Sequence, residues 1–155
     1  MIDEKKVTYQ VERVAEVIEE IKPLLEAHWG EIALYRDRFP LRPDYGKYLH
    51  LDSVGMALVA TVRAGGVLIG YAVYFIMPHL HYQDCRIAMN DILYIKPEHR
   101  RGRVGIRLLG FAEDRLRQAG VDRILQHVKT QHDFGRLLER IGYEETERTF
   151  EKLLG

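Results

Sequence analysis

Between Ile95 and Gly120 the chain reads IKPEHRRGRVGIRLLGFAEDRLRQAG, and this stretch leaves few folds open. An apolar run, RIAMNDILYI, is stopped by Pro97, whose ring nitrogen has no N–H to give a central strand. Five basic side chains (Lys96, Arg100, Arg101, Arg103, Arg107) then crowd around Gly102 and Gly105. An amphipathic helix follows directly. Val104, Leu108, Leu109, Phe111, Ala112, Leu116 and Ala119 line one face of it, and Gly120 supplies the C-terminal signal. A strand, a glycine turn and a one-sided helix require a sheet for the helix to pack on. The same arrangement leaves free backbone N–H groups and the positive end of a helix dipole at the turn, which favours an anion such as a phosphate. Glycines let the backbone approach closely, and arginines add charge-assisted hydrogen bonds. The spacing is neither the GxxxxGK of a nucleotide P-loop nor the GxGxxG of a dinucleotide fold.

The rest of the chain supplies the sheet. Val7 to Val11 alternates as a short strand, and Val14, Val17, Ile18 and Ile21 follow helical spacing. Pro23 predicts a break, with a second helical piece beginning at Leu24, Leu25 and Trp29. RFPLRPDYGKYL reads as a loop leading into a short helix around Tyr45 to Leu51. MALVATVR and VLIGYAVYFIM flank Ala64, Gly65 and Gly66, a strand–turn–strand signal. HLHYQDC is expected as a polar loop, and RILQHVKT as a strand. Phe134, Leu137, Leu138 and Ile141 make a short helical stripe ending at Gly142, and ETERTFEKL alternates as a final strand. The expected fold is α/β of the α+β type. It is one domain over residues 1–155, with a mixed, mostly antiparallel sheet flanked by helices, in the order β-α-α-β-β-β-α-β-α-β.

Composition removes several function classes. The 23 basic and 23 acidic residues cancel, so no global field draws the chain to nucleic acid or to an anionic membrane. No run approaches the roughly 18 apolar residues of a membrane span, and the opening MIDEKKVTYQ has no signal-like apolar core. The one cysteine, Cys85, excludes an internal disulfide and suits a reducing cytoplasm. His79 and His81 lie near Asp84 and Cys85, but two histidines two apart in a polar loop read as exposed side chains, and no metal is expected.

The basic turn resembles motif A of the GNAT superfamily of N-acetyltransferases, Q/R-x-x-G-x-G/A. Arg100 and Gly105 fall at its first and last positions, and Leu108 with Leu109 where the family's helix carries its apolar pair. LYIKPEHR resembles the family's strand end, and RLLERIGYE its last helix. Two positions depart from the pattern: Arg103 stands at the middle glycine, with Gly102 one place early, and Leu138 stands where many members carry a general-acid tyrosine.

The resemblance implies acetyl-coenzyme A as donor and an amine of a small molecule or protein as acceptor. It implies a diphosphate on the N–H groups of Arg101, Gly102, Arg103, Val104, Gly105 and Ile106, with Arg100 nearby. The pantetheine arm would run along the edge of Leu93, Tyr94 and Ile95. For the base that takes the amine's proton the candidates are Asp91, then His81, with Tyr94 on the same strand. A non-catalytic coenzyme A-binding or protein-interaction module on this fold is the alternative. Pairing of two copies through the last strand is a further expectation.

Overall fold

The computed structural model describes residues 6–155; residues 1–5, half of the N-terminal stretch from which no leader is expected, lie outside it. The elements run β1 (Val7–Val11), α1 (Val14–Ile32), α2 (Tyr45–Ser53), β2 (Ala57–Ala64), β3 (Val67–His79), β4 (Tyr82–Ile95), α3 (Val104–Gln118), β5 (Arg123–Leu125) and α4 (Gly135–Arg140). The five strands form one sheet in chain order. The first three pairings are antiparallel, and β4 pairs with β5 in parallel. The mixed, mostly antiparallel sheet flanked by helices is the architecture the sequence leads one to expect.

The core has two layers because β2 and β3 are apolar on both faces. On one face Leu108, Ala112 and Leu116 of α3 pack over Ala60, Val62, Ala72 and Ile76. On the other, Val14, Val17, Ile21 and Leu24 of α1 pack over Val59, Val73 and Ile92. The helix α2 is fixed to α1 by Asp52, whose buried carboxylate accepts from the N–H of Val14 at 2.9 Å and pairs with Arg13 at 3.0 Å. An acidic group there satisfies an orphan donor and meets the positive helix end.

Four local expectations are corrected. The first helix runs through Pro23 without a break. Pro23 and Glu19, whose carbonyl loses its donor, both lie on the exposed side, where water replaces the missing bond, while the buried stripe on the other side holds the axis. The polar loop at residues 79–85 shrinks to a turn at Leu80 and His81, because both strands extend beyond the sheet. The fifth strand stops at Leu125, where its pairing with β4 ends. The segment ETERTFEKL forms no strand. Charged residues stand on both of its faces and Phe150 is 92% exposed, so it has no continuous apolar face to bury on the three-residue β5. No described helix is long and apolar enough to cross a membrane.

The end of β4 is held at a close approach. Gly70 pairs with Ile95, and a Cβ on Gly70 would stand 2.8 Å from the carbonyl oxygen of Tyr94 and 2.9 Å from Cγ1 of Ile95. Backbone cannot yield as a side chain tip can. Gly70→Ala is therefore expected to lower stability by about 2 kcal/mol, read as a reduced urea midpoint at unchanged m-value.

Candidate functional site

The functional geometry starts from one extra residue in β4. Tyr74 pairs with Asn90 and Val73 with Ile92, so Asp91 has no partner across the ladder. A bulge of this kind bends the strand and re-aims its side chains. Before it, Ala88 faces the α3 side; after it, Leu93 and Ile95 do, while Ile92 and Tyr94 face α1. Asp91 projects on the α1 side, where the Tyr48 hydroxyl of α2 donates to its carboxylate at 2.5 Å.

The same place is where β4 and β5 part. Their pairing ends at Met89 and Leu125. Beyond it the Asn90 side-chain amide replaces the ladder, donating to the His127 carbonyl at 3.1 Å and accepting from the His127 N–H. From there the chain leaves the sheet, which is why β5 is short. Lys96 donates to Ile69 at 2.8 Å, so the alternation of an antiparallel ladder turns the N–H and C=O of Leu93 away from β3, into the gap. Of the residues named from the sequence as the open edge, Leu93 and Ile95 turn their backbone toward that gap, with the Ile95 carbonyl already accepting from Arg100, while Tyr94 pairs with Tyr71 of β3.

At the far end of β4 lies the basic turn. Gly102 takes φ +96°, a left-handed conformation that suits glycine, and Arg103 takes φ −105°, ψ 3°, which any residue tolerates. The displaced glycine of the motif therefore causes no strain. The first bond of α3 runs from Arg107 N–H to the Arg103 carbonyl. Among the described residues the N–H groups of Arg101, Gly102, Arg103, Val104, Gly105 and Ile106 have no hydrogen-bond acceptor. Arg101, Arg103 and Arg107 have no acidic partner there either. This is a run of unused donors beside positive charge, an arrangement that could hold an anion.

Arg100 is placed differently from its neighbours. Its guanidinium holds both oxygens of Glu31 at 2.8 Å and donates to the Ile95 carbonyl at 2.7 Å, lying 5.4 Å from the Tyr94 ring centre. It ties the turn to α1 and keeps β4's end in place, with its charge already matched. Tyr94 is buried, stacks against His28 at 5.1 Å between ring centres, and is raised in pKa chiefly by that burial. Burial also holds His28 below the usual imidazole range, and so neutral, although the nearby Glu31 opposes this. His28 and Glu31 were not singled out from the sequence. Nothing in their helical spacing announces a contact with Arg100 sixty-nine positions away.

Tyr48, Asp91 and Ile92 border a cleft of about 330 Å³ that runs under the loop before α2. Leu25 and Trp29 of α1 and the loop residues Phe39 to Pro43 complete its walls. Asp91 is exposed to solvent, and the protein around it partly desolvates its carboxylate. That desolvation raises its pKa above the ordinary carboxylate range, against the lowering effect of Tyr48's hydrogen bond. Burial first, and the Asp91 carboxylate second, push Tyr48 well above a free phenol, so it stays a donor. Tyr71 lies deeper, fully buried, with a hydroxyl that finds no partner among the described residues.

His81 is not brought to this cleft. It sits at the β3–β4 turn with His79 and Tyr82, whose rings stack on one another. Nine residues of strand separate Tyr82 from Asp91, on the order of 25–30 Å at the usual rise. No group of three potential metal ligands gathers among the described residues. Leu138 is buried in α4 and offers no hydroxyl.

The sequence profile described as the acetyltransferase (GNAT) family matches residues 15–143. No curated protein matches the chain by sequence. Among solved structures, the chain resembles a ribosomal-protein-alanine N-acetyltransferase from Brucella melitensis biovar Abortus 2308. The TM-score is 0.72 at 19% identity, covering 96% of this chain and 99% of that one. It resembles an aminoglycoside acetyltransferase from an uncultured soil metagenomic sample at TM-score 0.76 and 12% identity, over 98% and 99% of the two chains. A predicted acetyltransferase from Clostridium acetobutylicum, whose structure contains acetyl-CoA, matches at TM-score 0.71 and 10% identity, over 95% and 96%. At these identities the likeness speaks for the fold.

Proposed function

From the premise that the chain belongs to the acetyltransferase (GNAT) family and is an acetyl-transferring enzyme, we propose that it moves acetyl from acetyl-coenzyme A directly to a primary amine held over Asp91. The observation that carries this reading is the run of six N–H groups without acceptors at residues 101–106. It lies one turn beyond an open strand edge that begins beside a desolvated carboxylate. One similar structure is named a ribosomal-protein-alanine N-acetyltransferase and another an aminoglycoside acetyltransferase, and an amine acceptor is consistent with both names.

The chain's residues divide the work. Arg101 to Ile106 hold the diphosphate through backbone N–H groups, and Arg101, Arg103 and Arg107 add charge. The open edge at Leu93 and Ile95 aligns the arm, and the Leu93 N–H is the donor turned toward the gap, where negative charge develops on the carbonyl oxygen. When bound, acetyl-coenzyme A supplies an activated acyl carbon and a thiolate leaving group. Asp91 accepts a hydrogen bond from the amine through the oxygen not engaged by Tyr48. As the nitrogen–carbon bond forms and the carbon–sulfur bond breaks, the nitrogen's proton becomes acidic, and a carboxylate suffices to receive it. The departing thiolate takes a proton from solvent. A thiol with a pKa of about 8.5 leaves without a dedicated acid, so a leucine at position 138 is compatible with turnover.

Isothermal titration of the purified protein with acetyl-coenzyme A at high micromolar concentration tests the reading. Saturable heat is expected, followed by thiol release when an acceptor amine is added. Absence of heat would contradict it.

A further inference from the structure

The cleft that the proposed function assigns to the acceptor has a composition that narrows what the acceptor is. Most of its described lining residues are apolar, with Leu25, Trp29, Pro40, Pro43 and Ile92 among them, and its volume of about 330 Å³ lies at the low end for ligand pockets. Among its described lining residues only two carry charge: Asp91 on β4 and Arg42 on the loop before α2. The Arg42 guanidinium makes no hydrogen bond or ion pair among the described residues, whereas its loop neighbours are both engaged. Arg36 donates to the Gly30 carbonyl and covers the Trp29 ring at 5.2 Å, and Arg38 donates to the Gly155 carbonyl and lies 5.7 Å from the Phe39 ring. Between Arg36 and Arg42 the loop has three arginines against Asp37 alone.

Such a rim repels a polycation. An amine carrying several positive charges needs several carboxylates, and this cleft offers one, beneath a positive loop whose cations already cover the aromatic faces. A free guanidinium in an apolar cleft suits a carboxylate instead. We infer that the acceptor is a monoamine on an apolar or aromatic body that also carries one anionic group, its amine at Asp91 and Tyr48 and its anion at Arg42. Arg42 is thus a specificity-determining residue. This rests on the acetyl-transfer reading above and on Asp91 marking the acceptor's place.

The test compares amines that differ only in the anion. Phenylalanine is set against 2-phenylethylamine, and 4-(aminomethyl)benzoate against benzylamine, placing the carboxylate near to and far from the amine; spermidine and kanamycin are the polycations. Acetyl-coenzyme A binding is measured alongside by titration. At least one carboxylate-bearing amine is expected to exceed its neutral counterpart about tenfold in kcat/KM, with the polycations slower than both. Arg42→Ala is expected to bring that ratio to about one, and Arg42→Lys to keep part of it.

Preference for spermidine or kanamycin overturns the inference and leaves acetyl transfer standing. So does a carboxylate advantage that survives Arg42→Ala. Cofactor binding without acetylation of either carboxylate-bearing amine overturns it too. Failure to bind acetyl-coenzyme A at all would instead remove the acetyl-transfer reading, and this inference with it.

Discussion

Asp91→Asn is expected to lower kcat about a hundredfold while leaving the affinity for acetyl-coenzyme A within about twofold. The substitution keeps an oxygen acceptor for the Tyr48 hydroxyl, so the bulge and the cleft wall stay in place. What it removes is the group proposed to receive the amine's proton. Asp91 lies beside the open edge of β4 and away from the 101–106 turn, so donor binding has no reason to change.

The pH profile distinguishes this role from a structural one. Desolvation raises the Asp91 pKa in the folded protein, and the base acts in its deprotonated form. The kcat/KM of the native enzyme therefore falls on the acid side with a midpoint above the ordinary carboxylate value of about 4, and the asparagine variant loses that limb. Stability carries the opposite sign. A carboxyl whose folded pKa lies above its unfolded value destabilises the fold once ionised, and the cost grows as pH rises from the unfolded value through the folded one. Asp91→Asn should hold or raise the melting temperature at neutral pH. A variant with full activity, or one that loses activity only by unfolding, would remove Asp91 from the mechanism.

Gly105→Glu should weaken acetyl-coenzyme A binding about a hundredfold, close to 2.7 kcal/mol, without loss of stability. A Cβ at Gly105 meets only Cδ1 of Ile95, at 3.4 Å, so the fold accepts a methyl group there with little adjustment. Replacing glycine inside a helix even favours the helix, and an acid in the first turn suits its dipole. The loss comes from placing a carboxylate among the N–H donors that the diphosphate needs. Gly105→Ala is the control: it adds bulk without charge and is expected to cost less than about fivefold. Equal losses for both variants would point to steric blockage, and no loss in the glutamate variant would place the diphosphate elsewhere. Calorimetric titration, with thermal unfolding of each variant, supplies both readouts.

The basic turn and the strand that leads into it were readable in the sequence for a definite reason. Pro97, Gly102, Gly105 and the stripe from Val104 to Ala119 are local signals, and each constrains the backbone within a few residues of itself. The unpaired N–H run at 101–106 follows from them almost without reference to the rest of the fold. The acceptor side is assembled from distant parts. Asp91 could be named because it stands on the strand entering the turn. That it bulges, meets Tyr48 forty-three positions away and faces a loop with Arg42 depends on strand register and on how α2 docks, and no local pattern encodes either. Arg100 shows the same limit. Its place in the motif suggested a phosphate neighbour, and its guanidinium is engaged by Glu31 from another layer. Pro23 and the C-terminal segment failed as local signals because burial overrode them: a buried stripe carried the helix through the proline, and a charged segment found no face to cover.

The claim on which the account turns is that backbone donors at the start of α3 hold the donor's diphosphate. The most direct measurement is a nuclear magnetic resonance titration of isotope-labelled protein with coenzyme A, following backbone N–H resonances. The largest shifts are expected at Arg101 through Ile106, with smaller ones along Leu93 to Ile95. Shifts confined to other parts of the molecule, with the 101–106 resonances unmoved at saturation, would contradict the account.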